Sequence, residues 1–439
     1  MEQLTFLDES VAKVLKRLIE EVDKSFFKDK VYIIGDSLIY AMLGKTFTTL
    51  RILVDLEKGA EAFTNWVALK FNCMEMGENP LHDNDFDLSF VYVDDVLLDV
   101  VSTDPMKKST RSSLKEALKD CSFSFEGLAY NITTHEICDP MGVGYDDFTK
   151  HRIRAIGDVD LLMEKNQRAI FSAIKYANNF EFGVSKDLWM CIVKNAHRVS
   201  DLNKAILRSE LLNIITSDKP SNAIRKMANC GLMRYIFPSI DFEADNDEAV
   251  FGDAMKCLDA AEPIGSSRFA ALFHNIGSLS LDKSQKPQIK ASELARKELT
   301  NLGFAGTMVE SVVTAIKNYK YFDNLSENIP ERKVKRFMSA CGEYLGTSLS
   351  LIEAYYKYNE KDEGQILLIR NMCNTLSMKK KPKKLPIDGN DIINTLKVPS
   401  GPHIGLCLSK VEEYVALYPN ATSEECLNIA KMEISKLSF

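Results

Sequence analysis

Three aspartates stand in or beside short apolar runs: Asp36 after VYIIG, Asp55 after ILV and Asp99 within VLLDVV. Carboxylates presented from strand ends are typical ligands for Mg²⁺, which takes oxygen donors in near-octahedral geometry. Strand-end acids more commonly face solvent, and that reading is preferred for all three. The other groups with chemical potential are cations. Lys194, His197, Arg198, Lys204 and Arg208 share one helical stretch, and Lys379, Lys380, Lys381, Lys383 and Lys384 surround Pro382. The lysine run is a candidate nucleic-acid contact, although a lysine run around a proline is first of all an exposed, extended linker. His274 lies in RFAALFHNIG with no histidine between it and His197. One histidine makes no metal site, so packing is expected there.

The elements that must position these groups change character near residue 150. Upstream, VYII (31–34), ILV (52–54), FDLSFVYV (86–93) and VLLDVV (96–101) are β-branched and aromatic runs, the last two a hairpin across Asp94-Asp95. Helical periodicity surrounds them at 8–24 and 58–71. Gly35 at a strand-to-helix junction is a tight turn that also lets phosphate approach the backbone. Downstream, LLMEKNQRAIFSAIKYANNF, SKDLWMCIVKNAH and KAILRSELLNII are helical, broken near Pro220, Pro238, Pro263 and Pro330. The predicted fold class is α+β, a small α/β head followed by an all-α remainder.

Composition sets wide bounds. The chain has 439 residues, 55 Lys+Arg against 62 Asp+Glu, a net charge of −7 and 45% hydrophobic residues. Disorder is excluded, and so is a surface that is basic throughout. Ten scattered cysteines without CxxC spacing imply reduced thiols and a cytoplasmic compartment. No apolar run approaches the roughly 20 residues that span a bilayer, and the N-terminus is amphipathic rather than signal-like.

The segment VYIIGDSLIYAMLGKTFTTLRILVD resembles the opening of the class II CCA-adding and bacterial poly(A) polymerase family, where a glycine turn and short helix lead to a strand bearing Asp-x-Asp. LLDVVST, FSFEGLAYNITTHEICDPMGVGYDDFTKHRIRAIGD, LRSELLNIITSDKPSNAIRKMANCGLMRYIFP and the C-terminal VPSGPHIGLCLSKVEEYVALYPNATSEECL resemble later family blocks in family order. RFAALFHNIG looks like the HD domain appended in some members. The resemblance implies a nucleotidyltransferase-type head at 1–150, a helical neck and RNA-binding-like body at 151–238, an HD-like region at 239–377 and a basic linker with helical tail at 378–439. It makes Gly35, Arg154 and Arg208 the nucleotide-binding candidates, it makes Lys194, Arg198 and Lys204 with the lysine run the RNA contacts, His197 lying among the neck cations, and it makes RNA, above all tRNA or a tRNA-like molecule, the partner.

The departures from the family pattern are chemical. Counted from Gly44, the Asp-x-Asp positions hold Thr49 and Arg51, a hydroxyl and a cation. Asp36, Asp55 and Asp99 are the possible substitutes. The Arg-Arg-Asp motif reads Asp120-Cys121-Ser122, the base-reading Glu-Asp-x-x-Arg helix reads Lys165-Asn166-x-x-Ala169, and the His-Asp dyad reads His274-Asn275. The turn residues Gly142, Gly157, Gly231 and Pro238 persist. The expectation is a catalytically impaired member that binds RNA or acts as a scaffold, with no cofactor and no metal. The alternatives are an active CCA- or poly(A)-adding enzyme requiring Mg²⁺, and a structural subunit of a ribonucleoprotein or virion complex with protein partners.

Overall fold

The computed structural model describes residues 8–73, 88–104, 113–119, 121–240, 242, 248–279, 285–323, 329–379, 385–399, 401–418 and 421–434. They form an α+β structure, as the sequence predicts. The chain gathers into two compact units: residues 1–321 with 343–361, and residues 322–342 with 362–439.

The first unit holds a six-stranded sheet of β1 (Val31–Ile34), β2 (Thr49–Glu57), β3 (Leu88–Val93), β4 (Val96–Asp104), β5 (Ala129–Asn131) and β6 (Ile137–Cys138), in the order β3-β4-β2-β1-β5-β6. The predicted Asp94-Asp95 hairpin joins β3 to β4, and β2 runs parallel to β4 with Arg51 opposite Asp99. Strand alternation divides β2 between two faces. Leu50, Ile52 and Val54 are buried toward α3 (Gly59–Phe71), which also ties into β3 through Thr64 Oγ1 to Ser89 Oγ at 2.8 Å. Thr49, Arg51, Leu53 and Asp55 take the other face. There Leu53 packs with Leu118 and Ala129.

The head helices follow their local signals. Asp8 caps α1 (Glu9–Val22), accepting from Ser10 N and Val11 N, and Val11, Val14, Leu15, Leu18 and Val22 make its buried stripe. At Gly35 the backbone has φ of +59°, a conformation that favours glycine, and α2 (Gly35–Met42) begins at once. Ser37 on α2 fixes the second turn to β2: its hydroxyl donates to Thr49 O and accepts from Arg51 N, both at 2.8 Å. After α4 (Leu114–Lys119) and a 3-10 turn at Ser124–Gly127 come α5 (Gly144–Thr149), α6 (Val159–Lys165), α7 (Ala169–Asn179), α8 (Lys186–Asn195) and α9 (Lys204–Ile215). Further helices complete the unit, the last being Leu345–Tyr358.

The second unit has its own core of Ile387, Ile392, Ile404, Cys407, Val411, Cys426 and Ala430, and an edge-on Phe322–Phe337 ring pair at 4.8 Å. One expectation needs correction. Met378 and Lys379 are the last residues of helix Glu363–Lys379 rather than extended linker, because the apolar spacing of Ile366, Ile369, Cys373 and Leu376 carries the helix to the edge of the lysine run. Lys380, Lys381, Lys383 and Lys384 lie outside the described residues.

Candidate functional site

A cavity of about 530 Å³ opens on the polar face of β2, between the sheet, α4 and the helices α7 and α9. Gly35, Asp36 and Arg51 lie on its sheet side and Arg168, Lys175 and Glu210 on its helical side. Its carboxylates are partnered. Asp36 accepts from Lys175 Nζ at 2.8 Å and from the Tyr176 hydroxyl at 2.7 Å. Glu126 accepts from the backbone N–H of Ser122 and of Phe123 at 3.1 and 3.0 Å. Glu210 accepts from Arg168, Nε at 2.9 Å and Nη2 at 2.7 Å. Asp99 lies 3.7 Å from Arg51 Nε.

This pairing sets the electrostatics. Burial works against ionisation of Asp36, but the Lys175 ammonium and the hydrogen bonds from Lys175 and Tyr176 outweigh it and hold the carboxyl below its usual range. Burial pushes the Glu126 carboxyl up, against the Tyr176 hydroxyl and the Phe123 N–H that bond it. Tyr176 is pushed well up by burial and by both carboxylates, so its hydroxyl stays a donor.

The residues present do not fit a pair of divalent ions. Of the two positions matching Asp-x-Asp, Thr49 stands at the start of β2 and Arg51 puts a guanidinium against Asp99. A cation on the strand repels the ion that a carboxylate would bind. The possible substitutes are not brought together. Asp36 is engaged by α7, Asp99 by Arg51, and Asp55 lies further along β2, where its N–H bonds Lys30 O. Among the described residues no three His, Cys, Asp or Glu side chains are grouped to hold a metal.

The other candidates are distributed as follows. Gly35 lines the cavity. Arg154 instead holds Asp147, which is fully buried and also takes the Ser124 hydroxyl at 2.6 Å. Arg208 Nη1 donates to Leu302 O and Lys204 Nζ to Asn301 O. Lys194 and Arg198 face α6, paired with Asp160 at 3.0 Å and Glu164 at 3.9 Å. None of these basic residues lines the cavity. Lys379 ends its helix. His274 is packed: it is 1% exposed, Nδ1 lies 2.7 Å from Ala271 O, Nε2 lies 3.2 Å from the Tyr358 hydroxyl, and burial holds its pKa down at about 4.

Sequence reasoning missed Glu126, Asn166, Arg168, Lys175 and Tyr176 as cavity residues. For Arg168 a signal existed. The ungapped count puts Ala169 at the arginine position, but the break between α6 and α7 presents the residue before it, so Asn166 and Arg168 both line the cavity while Ala169 is buried. Lys175 and Tyr176 read only as part of a helical repeat.

Residues 181–243 match a family model described as the probable RNA and SrmB-binding site of polymerase A. No curated protein matches the chain. Among solved structures, the CCA-adding enzyme of Bacillus stearothermophilus in complex with CTP superposes with a TM-score of 0.68 at 17% identity, over 98% of this chain and 99% of that one. A CCA-adding enzyme solved with ATP gives 0.60 at 16%, over 98% and 97%. The Thermotoga maritima CCA-adding enzyme complexed with tRNA gives 0.53 at 17%, over 98% and 97%. The chain therefore has the fold of the CCA-adding enzymes. The expected fold is thus borne out, and the match to the polymerase A model lies almost entirely within the predicted helical neck and body.

Proposed function

We propose that this protein binds RNA, tRNA or a tRNA-like molecule, and does not transfer nucleotides. The observation that carries this reading is Arg51. It stands where the family's chemistry requires a metal-binding carboxylate and is ion-paired to Asp99 across parallel strands. Nucleotidyl transfer depends on ions that stabilise the attacking and leaving oxygens, and a guanidinium occupying that position removes the ligand and opposes the ion. Support for an RNA partner comes from the match of residues 181–243 to the polymerase A RNA-binding model and from the likeness to an enzyme complexed with tRNA. Ten free cysteines support a reducing, cytoplasmic compartment. Among the described residues no helix is long and apolar enough to cross a membrane. The helical stretch around His274 is read as HD-like in descent, its histidine turned to packing.

The test is incubation with tRNA lacking its CCA end, radiolabelled CTP and ATP, and Mg²⁺ or Mn²⁺, beside a titration of tRNA binding against salt. The reading requires salt-dependent binding without incorporation. Incorporation that Asp36→Ala or Asp99→Ala abolishes would overturn it.

A further inference from the structure

Residues 181–243, which match the polymerase A RNA-binding model, present an aromatic ring to solvent. In CGLMRYIFP the helix Leu232–Ile236 starts straight after Gly231, whose φ of +78° favours glycine. Leu232, Met233 and Ile236 are buried, as is Phe237 beyond them. Helical spacing then turns Arg234 and Tyr235 outward, and Tyr235 is 39% exposed. A single exposed ring is common on protein surfaces and has no meaning by itself. The groups around this one give it a use.

The Arg234 guanidinium lies 5.9 Å from the Tyr235 ring centroid, within the range over which a cation is drawn to an aromatic face. Arg234 also folds back over Gly231, where a Cβ would meet its Nε and Nη2 at 3.5 Å. The exposed His197 imidazole stands edge-on to Tyr235, with centroids 6.4 Å apart. His197 belongs to the 3-10 turn Ala196–Asp201, which buried Ala196 and Val199 anchor. Two stretches distant in sequence thus set three planar groups side by side. Lys194 and Arg198 flank His197 in the chain, their side chains 69% and 31% exposed and held by the surface acids Asp160 and Glu164 at 3.0 and 3.9 Å.

An exposed ring beside a guanidinium, with further cations next to it, is how proteins hold unpaired nucleotides. The base stacks on the ring, arginine adds to the stack, and the cations meet the adjoining phosphates. A base inside a duplex has both faces covered by its neighbours and gains nothing from such a ring.

We propose that Tyr235, with Arg234 and His197, is a stacking platform for an unpaired nucleotide of the bound RNA. The proposal rests on the RNA-binding reading above and gives that RNA a required feature, a single-stranded nucleotide at this face.

The experiment titrates the full chain by fluorescence anisotropy with two RNAs of equal phosphate count, a blunt duplex and a duplex with a single-stranded overhang. One overhang base is a fluorescent adenine analogue whose emission falls when it stacks. The parent should bind the overhang RNA more tightly than the blunt one and quench the analogue. Tyr235→Ala should weaken the overhang RNA about tenfold, abolish the quench and leave the blunt duplex within about twofold. Tyr235→Phe should keep the tight binding and the quench, whereas Tyr235→Leu, apolar but not planar, should lose them. Melting temperatures equal to the parent's show that the variants are folded. The proposal is overturned if folded Tyr235→Ala binds both RNAs as the parent does, if it weakens the two equally, or if Tyr235→Leu quenches as well as Tyr235→Phe. Each of these results leaves the RNA-binding reading standing, because the parent still binds RNA. A parent that binds neither RNA sinks that reading and the platform together.

Discussion

Arg51→Asp reverses the charge on which the proposed function depends. Arg51 and Asp99 are opposite each other in the parallel β2–β4 register and lie 3.7 Å apart, with side chains 46% and 20% exposed. An ion pair this exposed contributes at most about 1 kcal/mol. The substitution also sets two carboxylates on neighbouring strands about 4.8 Å apart. At an effective dielectric constant of about 20 that repulsion is about 3 kcal/mol, and solvent at this partly open site reduces it to about half. The variant should therefore be about 2 kcal/mol less stable than the parent in EDTA. The Arg51 charge also acts on Asp36, so its reversal removes one of the influences that hold that carboxyl ionised. Mg²⁺ at a hundred times its dissociation constant would return about 2.7 kcal/mol. Urea unfolding in EDTA and in Mg²⁺, with hydrogen exchange followed on β2 and β4, measures both changes. The parent should ignore the ion and the variant should recover with it. An Arg51→Asp protein as stable as the parent in EDTA, or indifferent to Mg²⁺, would refute the reasoning that Arg51 replaces a metal ligand.

Three further outcomes are expected. His274 is neutral and buried with a pKa near 4. The unfolded chain takes up that proton first, near pH 6.5, so stability is full above pH 6.5 and falls by about 3 kcal/mol toward pH 4; His274→Gln should flatten that part of a stability-versus-pH curve. A Cβ at Gly277 would lie 2.0 Å from Pro287 O, whereas one at Gly306 meets nothing within 4 Å. Gly277→Ala should thus cost about 2 kcal/mol or more and Gly306→Ala essentially nothing, which parallel thermal melts will show. If Lys194 and Lys204 contact RNA phosphates, exchanging their present partners Asp160 and Asn301 O for the nucleic acid, each alanine variant should lower the slope of log affinity against log salt by about 1. An unchanged slope removes that residue from the interface.

Much of the architecture was legible because it is local. The spacing of Val11, Val14, Leu15, Leu18 and Val22 writes α1, Asp94-Asp95 writes the hairpin turn, and Gly35 writes the junction of β1 and α2. The short β5 and β6 carry too few residues to show a period; β5 forms where β1 offers an edge, and β6 pairs in turn with β5. Only Met378 and Lys379, the last two residues of their helix, read as linker from the sequence, because the lysine run begins there.

By itself the sequence determined the kind and order of the elements, the turns that admit only glycine, and the face of β2 on which residue 51 must lie, since alternation along a strand is a property of the chain. It also determined that a cation and not a carboxylate stands there. What that cation touches was decided by tertiary structure alone. Asp99 reaches Arg51 because β4 pairs with β2 in one particular register, and Lys175 reaches Asp36 across 139 positions of chain. A pairing of that kind leaves no periodic trace in the sequence. It exists only once the sheet and the helices close around a common cavity, where removal from water makes each unpaired charge costly enough to require a partner.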